Sequence, residues 1–226
     1  MGKKKRHHRI HREGRGIIVT LTFLIFAINV PIYLYMSHWL FAITLLLSAA
    51  LLVFVTYFFR NPRRILEVSD SNLLIAPADG RVVVIEPTTE NEYFHDKRLQ
   101  VSIFMSPFNV HANWYPIEGK VLVSEHQDGY HKGAWLPKSS TENERSLVVI
   151  ETPNKVQIAV RQIAGAMARR IVTYAKAGGH SHRNEHFGFI KFGSRVDMYL
   201  PLDTEIFVSV GEQVTGNETI IGRINS

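Results

Sequence analysis

The chain has 226 residues, with 26 Lys and Arg against 20 Asp and Glu, and it has no cysteine. The lack of cysteine excludes disulfides, thiolate nucleophiles and Cys-ligated metal centres. Seven basic side chains and one acidic side chain among the first sixteen residues carry the whole net charge of +6, so the rest of the chain is neutral in sum, which argues against a basic nucleic-acid-binding fold.

Two long apolar runs follow the basic leader of residues 1–16. Residues 17–59 contain no Asp, Glu, Lys or Arg, and they divide into runs 17–35 and 39–59, of 19 and 21 residues. About 20 helical residues cross the hydrocarbon core of a bilayer, so the sequence predicts two membrane spans joined as a helical hairpin. A cleaved secretory signal is the alternative, but its apolar region is shorter and no second span follows it directly.

The charges around the hairpin predict its orientation. The leader is basic, Arg60, Arg63 and Arg64 follow the second run, and the connection between the runs is uncharged. Basic residues favour the cytoplasmic side of a membrane, so both ends of the hairpin are expected in the cytoplasm. The rest of the chain would then be held on the cytoplasmic face of the cell (inner) membrane.

The composition of residues 60–226 predicts one mainly β domain. Runs rich in Val and Ile are separated by Pro, Gly and Asn, as strands are separated by turns. A hairpin is expected about Pro153 and Asn154, and a short helix about residues 166–175. The predicted fold is a single antiparallel β sandwich or barrel-like (hybrid) domain that follows the membrane hairpin. Its predicted strands are 80–86, 100–105, 119–124, 146–151, 156–163, 187–200 and 205–210.

Two loops carry side chains suited to acid–base chemistry. Asp79 lies in Pro-Ala-Asp-Gly, which is common in turns, but a carboxylate at the start of a strand can also orient an imidazole. His111 lies in a loop between Pro107 and Pro116, where a histidine is either a hydrogen-bonded surface residue or a general base. The residues alone leave both alternatives open at both positions.

Two further motifs have a structural and a chemical interpretation. His180, His182 and His186 could ligate a metal, but no cysteine or evident carboxylate completes the set, so we predict no metal site. Gly193-Ser194 lies in a strand-like run, where a β bulge explains the glycine as well as backbone chemistry does.

Taken in order, these motifs resemble those of the phosphatidylserine decarboxylases, specifically their short, membrane-anchored bacterial form. The resemblance runs from about Phe58 to the C-terminus, and it starts with the segment Tyr-Phe-Phe-Arg-Asn-Pro-Arg-Arg. Pro-Ala-Asp-Gly with Asp79, Ser-Pro followed by His111, and Phe-Gly-Ser with Ser194 then come in the family's order and approximate spacing. Each motif is weak alone, but four in order are specific.

The resemblance implies a chain that cuts itself between Gly193 and Ser194. In that scheme the Ser194 hydroxyl attacks the Gly193 carbonyl to give an ester. Elimination and hydrolysis then release ammonia and leave a pyruvoyl group at position 194. His111 would be the base and Asp79 the group that orients it, in the manner of a Ser-His-Asp constellation.

The resemblance also implies the reaction. Self-cleavage would leave a large β chain of residues 1–193 and a small α chain of residues 194–226, held together as a heterodimer. The covalent pyruvoyl group is the expected cofactor, and it would form a Schiff base with the amine of phosphatidylserine in the membrane. Loss of carbon dioxide would give phosphatidylethanolamine, with His111 as the expected proton donor.

The sequence departs from longer members of the family at two places. They carry a second histidine three residues after the first, where this chain has Trp114. They also read Leu-Gly-Ser-Thr where this chain reads Phe-Gly-Ser-Arg. We therefore assign both proton-transfer roles to His111.

Two pairs of charged side chains keep two interpretations each. Arg195 and Asp197 alternate along one face of a strand, and they either reach the Ser194 site or form a structural ion pair, which we favour. Arg169 and Arg170 either bind the lipid phosphate or lie on a solvated surface helix. Neither pair is included among the predicted site residues.

Two other functions compete with this prediction. Residues 210–224 resemble the closing hairpin of biotinyl/lipoyl-like domains, which also occur in membrane adaptor proteins. The acceptor lysine and the long helical hairpins of those proteins are missing from the sequence. A pyruvoyl decarboxylase of a soluble amino acid would carry the same cleavage motifs, but it would not need two membrane spans.

Overall fold

The structure is a computed structural model of the chain. It divides into two compact units, Met1–Arg63 and Arg64–Ser226. In the residues described, the first unit holds two helices and the second holds fourteen strands. The described residues are 9–129, 143–165, 170–191 and 194–225.

Two helices form the N-terminal unit. Helix α1 spans Arg12–Tyr35 and helix α2 spans His38–Phe58. Across the hairpin, Asn29 Nδ2 donates to Ser48 Oγ at 3.0 Å, which satisfies a polar group between otherwise apolar helices. Both helices are long and apolar enough to cross a membrane, with mean hydropathies of 2.3 and 2.4 in their most apolar windows. The predicted pair of apolar helices is confirmed, and it could anchor the chain in a membrane.

Antiparallel strand pairs build the second unit. Most of the long strands coincide with the Val- and Ile-rich runs, because β-branched side chains suit a pleated, half-buried surface. In chain order the strands are β1 Leu73–Ile75, β2 Gly80–Glu90, β3 Asp96–Met105, β4 Ala112–Trp114, β5 Gly119–Gln127, β6 Arg145–Glu151, β7 Gln157–Ala164, β8 Arg170–Thr173, β9 His180–Ser181, β10 His186–Lys191, β11 Ser194–Leu200, β12 Glu205–Ile206, β13 Gln213–Val214 and β14 Ile220–Arg223.

One large curled sheet and two small sheets contain these strands. The large sheet has the order β13-β2-β3-β11-β7-β6-β5-β9, and the small sheets have the orders β1-β14-β12 and β4-β10-β8. The main core lies on one face of the large sheet, where β11 contributes Val196, Met198 and Leu200. Each such fully buried side chain contributes roughly 1.5–3 kcal/mol relative to exposure. The predicted mainly β, antiparallel fold class is confirmed.

The run predicted as one strand over residues 187–200 is two strands in different sheets. Strand β10 is the middle strand of a small sheet, whereas β11 lies between β3 and β7 in the large sheet. The chain therefore passes from one sheet to the other between Lys191 and Ser194. This change of sheet explains why a single apolar run ends one strand and begins another.

The predicted hairpin about Pro153 and Asn154 is confirmed, because it joins β6 to β7. The short helix predicted about residues 166–175 is wrong where the structure describes it. Arg170–Thr173 forms β8, which pairs residue by residue with β10. Its β-branched residues favour a strand once a neighbouring strand is available. Residues 166–169 lie outside the described residues.

Candidate active site

Ser194 is the first residue of β11, and it is fully buried. Its Cα partners are Met105 on β3 and Ala164 on β7, so strands on both sides fix its backbone. The hydroxyl donates to the sulfur of Met105 at 3.2 Å. Gly193, the other half of the predicted cleavage site, lies outside the described residues. A serine held this way presents its hydroxyl at the start of a strand, shielded from bulk water.

His111 is fully buried beside the start of β4. The Ile190 amide donates to the His111 carbonyl at 3.2 Å, which extends the β4–β10 ladder by one residue. The imidazole Nδ1 lies 3.0 Å from the carbonyl oxygen of Asn109. Because a carbonyl oxygen only accepts hydrogen bonds, Nδ1 carries the proton in the neutral ring and the lone pair is on Nε2. This is the tautomer in which Nε2 can act as a base.

Asn109 shapes the loop that precedes the histidine. Its Oδ1 accepts from both the amide and the hydroxyl of Ser106, each at 2.8 Å. A side chain that accepts from the backbone in this way stabilises a tight turn. The serine of the Ser-Pro motif therefore closes the loop whose Asn109 carbonyl holds the imidazole.

Asp79 is buried, and its carboxylate binds the backbone next to His111. Oδ2 accepts from the Val110 amide at 3.3 Å, and Oδ1 accepts from the Gly216 amide at 2.9 Å. The Arg64 guanidinium binds both oxygens, with Nη2 3.0 Å from Oδ2. Among the described residues the carboxylate makes no hydrogen bond to the imidazole of His111. The carboxylate instead contacts the backbone directly before His111, through the Val110 amide.

Gly80 explains why a glycine follows Asp79. A Cβ at position 80 would lie 2.2 Å from the carbonyl oxygen of Phe104 on β3. Only a glycine permits this close approach of β2 to β3. Strand packing therefore requires the glycine of the Asp-Gly motif, and the aspartate before it supplies the carboxylate.

A chain of buried contacts connects the Ser194 and His111 segments. The Met105 sulfur that accepts from Ser194 also accepts from Asn113 Nδ2 at 3.7 Å, and Asn113 Oδ1 accepts from Gln162 Nε2 at 2.8 Å. Alternation along the extended β4 ladder predicts the His111 and Asn113 side chains on one side. Sequence analysis missed Met105, Asn113 and Gln162, and this alternation was the only signal that could have found Asn113.

The serine and the histidine are not directly hydrogen-bonded. In the part of the chain that the structure describes, the Ser194 hydroxyl is bound to the Met105 sulfur and not to His111. Hydrogen bonds between catalytic groups often form only when the reacting groups are in place, so this geometry does not exclude a base and nucleophile pair. The structure thus brings Asp79 to the backbone directly before His111, and it connects Ser194 to Asn113 of β4 through the Met105 sulfur.

Trp114 stands where the resemblance would have a second histidine. It is 2% exposed, and its ring centroid lies 4.9 Å from that of His186 and 5.0 Å from the guanidinium carbon of Arg64. Strand alternation directs it to the side of β4 opposite Asn113. Trp114 therefore packs against Arg64 and His186, on the side of β4 opposite Asn113.

Arg195 and Asp197 form a buried ion pair, as the favoured interpretation predicted. Arg195 Nε lies 2.8 Å from Asp197 Oδ1, and Gln100 Nε2 donates to Asp197 Oδ2 at 3.3 Å. Strand alternation directs the side chains of residues 195 and 197 to the face of β11 opposite Ser194. The pair stabilises the sheet from its other face.

A second buried pair lies on that face, between Arg161 and Glu90, whose Nη2 and Oε1 atoms are 2.6 Å apart. Burial would raise the pKa of Glu90, but three backbone amides, that of Phe94 foremost, and the Arg161 guanidinium together hold it below its ordinary range. Burial and the neighbouring Asp197 raise the pKa of Tyr199. These groups are bound to one another, which is typical of a structural polar network.

The structure does not assemble a metal site from the histidine motif. His180 and His182 have ring centroids 6.3 Å apart, and no group of three or more metal-ligating side chains is present among the described residues. Arg170 is an exposed residue of β8, and Arg169 lies outside the described residues. The exposed position of Arg170 on β8 does not assign it to the Ser194 site.

Comparison with known proteins gives consistent matches over nearly the whole chain. The family model described as phosphatidylserine decarboxylase matches residues 51–222. A phosphatidylserine decarboxylase proenzyme of Bacteroides fragilis is 52% identical over 98% of this chain and 98% of its own length. Proteins of the same name from Bacteroides thetaiotaomicron and Porphyromonas gingivalis are 51% and 45% identical, over 98% and 96% of this chain and 98% and 99% of their own lengths.

Proposed function

The chain belongs to the phosphatidylserine decarboxylase family of carboxy-lyases, and on that premise we propose that it converts phosphatidylserine to phosphatidylethanolamine with a pyruvoyl group made from its own Ser194. The observation that carries the proposal is the buried position of Ser194 at the start of β11, where the chain changes sheet. The word proenzyme in the names of its relatives supports self-processing. The site is Gly193 and Ser194 for cleavage, with His111 and Asp79 in support.

Self-cleavage begins when the Ser194 hydroxyl attacks the carbonyl carbon of Gly193. The peptide bond to the Ser194 nitrogen breaks, and the acyl group moves to oxygen as an ester. Removal of the Ser194 Cα proton then expels the Gly193 carboxylate and leaves a dehydroalanine. Its imine form adds water and loses ammonia, which leaves a ketone at residue 194. Gly193 suits this chemistry because it has no Cβ to hinder the approaching oxygen.

His111 is the proposed base for the attack. A serine hydroxyl is a weak nucleophile until a neighbouring base removes its proton. The hydrogen bond from Nδ1 to the Asn109 carbonyl leaves the basic lone pair on Nε2. Asp79 supports this base by holding the Val110 amide, and hence the backbone directly before the imidazole.

The surroundings of Ser194 fit a pyruvoyl group. Backbone pairing to Met105 and Ala164 would hold residue 194 in place after the cut, and its burial would separate the ketone from bulk solvent. When present, this group supplies an electron-accepting carbonyl that condenses with the amine of the substrate. His111 would then provide the proton that replaces the departing carboxylate.

The position of β11 supports a two-chain product. After cleavage the small chain of residues 194–226 would still contribute β11 to the middle of the large sheet, between β3 and β7. Strand β14 of the same fragment pairs with β1 of the large chain. Residues 1–193 and 194–226 would therefore remain a heterodimer without a covalent link.

The proposed activity is tested with the purified full chain in detergent micelles that contain phosphatidylserine. We expect two fragments on denaturation, a small chain whose first residue has the mass of a pyruvoyl group, and equimolar release of carbon dioxide and phosphatidylethanolamine. Free serine should not be consumed. An uncut, inactive chain would support an adaptor function instead, and decarboxylation of the free amino acid would support a soluble substrate.

We further propose that α1 and α2 anchor the enzyme in the cell (inner) membrane with the catalytic unit in the cytoplasm. Because the chain has no cysteine, single cysteines report sidedness without background. Two separate variants, Met36→Cys and Asp128→Cys, each carry one cysteine. Met36 lies between the helices, and Asp128 has a fully exposed side chain in the second unit. In spheroplasts, an impermeant maleimide is expected to label only Met36→Cys, and lysis should expose Asp128→Cys. The reverse pattern would contradict the proposed orientation.

A further inference from the structure

Arg64 is the last residue of the Tyr-Phe-Phe-Arg-Asn-Pro-Arg-Arg segment, and it binds the candidate site although the proposed mechanism gives it no role. Its side chain is 10% exposed, and its guanidinium binds both carboxylate oxygens of Asp79. Resting on the proposed function, we propose that Arg64 is a positioning residue for self-cleavage. It fixes the Asp79 carboxylate, and through that carboxylate it fixes the backbone that presents His111.

The route from Arg64 to the imidazole is short and continuous. Asp79 Oδ2, which accepts from Arg64 Nη2 at 3.0 Å, also accepts from the Val110 amide at 3.3 Å. Val110 directly precedes His111, whose imidazole is held by the carbonyl of Asn109. A carboxylate that is free to rotate would release the Val110 amide, and the backbone that carries the imidazole would lose its fixed position. A misplacement of about 1 Å can slow a reaction about 100-fold.

Arg64 also binds the segment that would become part of the small chain. Nη1 donates to the Gly216 carbonyl at 3.0 Å, and Asp79 Oδ1 accepts from the Gly216 amide at 2.9 Å. A Cβ at position 216 would lie 2.7 Å from the ring of Trp114, so only glycine fits between the ring and the ion pair. The Arg64–Asp79 pair therefore binds both the carbonyl and the amide of Gly216, a residue of the proposed small chain, and holds this residue beside Trp114 of β4.

The charges around this pair explain why an arginine is needed. Asp79 is buried, and Glu218 Oε1 lies 3.5 Å from Arg64 Nε, so one guanidinium faces two carboxylates. The Trp114 ring lies against the guanidinium of Arg64, and it also contacts the ring of His186 in an edge-to-face arrangement. A planar fork with five donors can serve two carboxylates and a carbonyl together, whereas a lysine is a single point charge. Without Arg64, Asp79 would be a buried carboxylate with no ion pair among the described residues, which is strongly unfavourable.

Arg98 provides a matched control for these variants. Its guanidinium also forks onto an aspartate, with Nε 2.8 Å from Asp96 Oδ1 and Nη2 3.1 Å from Oδ2. It also covers an aromatic ring, 3.6 Å from the centroid of Phe94, and its side chain is 17% exposed. The same substitution at position 98 therefore removes a fork of the same geometry, onto an aspartate whose side chain is 53% exposed, and this pair has no role in the proposed site.

The test follows the rate at which newly made full-length chain is cut, in pulse-chase synthesis into lipid nanodiscs. We expect Arg64→Lys to slow cleavage about tenfold and Arg64→Met about 100-fold, because charge-assisted hydrogen bonds are lost and the histidine segment shifts. Arg98→Lys and Arg98→Met should be cut at the wild-type rate. Each Arg64 variant is also made with Ser194→Ala, which cannot be cut, and its thermal unfolding is compared with that of Ser194→Ala alone.

The outcomes separate this inference from the proposed function. Slow cleavage of Arg64→Lys, with an unfolding midpoint close to that of the uncut parent, supports a positioning role. Wild-type cleavage in both Arg64 variants overturns it. The positioning role is also overturned if Arg64→Lys is cut slowly and has lost its folded state. Equal slowing in the Arg98 variants overturns it as well, because either result means that Arg64 contributes only to general stability. If the wild-type chain itself is not cut, the proposed function fails instead.

Discussion

Replacing Ser194 with alanine is expected to abolish both self-cleavage and decarboxylation. The methyl group has no oxygen to attack the Gly193 carbonyl, so no ester forms and no ketone can arise at residue 194. The alanine side chain fits the buried position beside Met105 and leaves the backbone pairing of β11 unchanged. Denatured protein should run as one intact chain of 25.8 kDa, measured by intact mass, with no phosphatidylethanolamine formed.

Ser181→Ala is the matched control for this variant. Ser181 is also a buried strand serine, and its hydroxyl donates to the carbonyl of Ile117 at 2.9 Å. Loss of that hydrogen bond should cost about 1 kcal/mol of stability without affecting cleavage. Fragments that begin at residue 194 in the Ser194→Ala protein would show that another group makes the cut, and the proposed chemistry would then be wrong.

The strands of the second unit were predictable because local composition and packing agree. Runs such as Arg145–Glu151 and Gln157–Ala164 are rich in β-branched residues and are joined by a Pro-Asn turn, so neighbouring pairs form with little loss of chain entropy. The apolar helices were predictable for a similar reason, since length and lack of charge identify a span. Helix α1 nevertheless begins at Arg12, five residues before the apolar run, because a helix can continue into charged residues outside it.

The failures concern contacts between residues that are distant in sequence. The composition of the segment around Arg170 allows a helix, but pairing with β10 determines its conformation as a strand. The run 187–200 gave no local signal that it would supply two sheets. Such arrangements depend on which strands meet in three dimensions, which periodicity in a single segment does not encode.

The same limit applies to the candidate site. The resemblance implies Asp79, His111 and Ser194 in one constellation, with Asp79 as the group that orients the imidazole, but it does not say which contacts would do so. The carboxylate binds Arg64 and the Gly216 amide, which are 15 and 137 positions away in sequence, as well as the amide of Val110. A motif identifies the residues with suitable chemistry, whereas the groups that hold them in position come from elsewhere in the fold.

His111→Gln is expected to slow self-cleavage by a factor of about 100 to 10,000, the usual contribution of a general base. Glutamine has a similar length and can still donate to the Asn109 carbonyl, so the loop should keep its shape, but it has no basic nitrogen. Pulse-chase measurement of the intact and cut forms gives the rate. Decarboxylation is measured separately, on whatever fraction of the variant has been cut, because the same side chain is proposed to protonate the product.

His180→Gln is the control for the histidine, since His180 is an exposed residue at the edge strand β9. It should be cut at the wild-type rate. If His111→Gln is also cut at that rate, the base must be another group. If it is cut slowly but turns over phosphatidylserine normally once cut, His111 serves self-cleavage alone. In that case the proton donor for decarboxylation has to be sought elsewhere, because Trp114 carries no basic nitrogen at the position where longer members of the family have a second histidine.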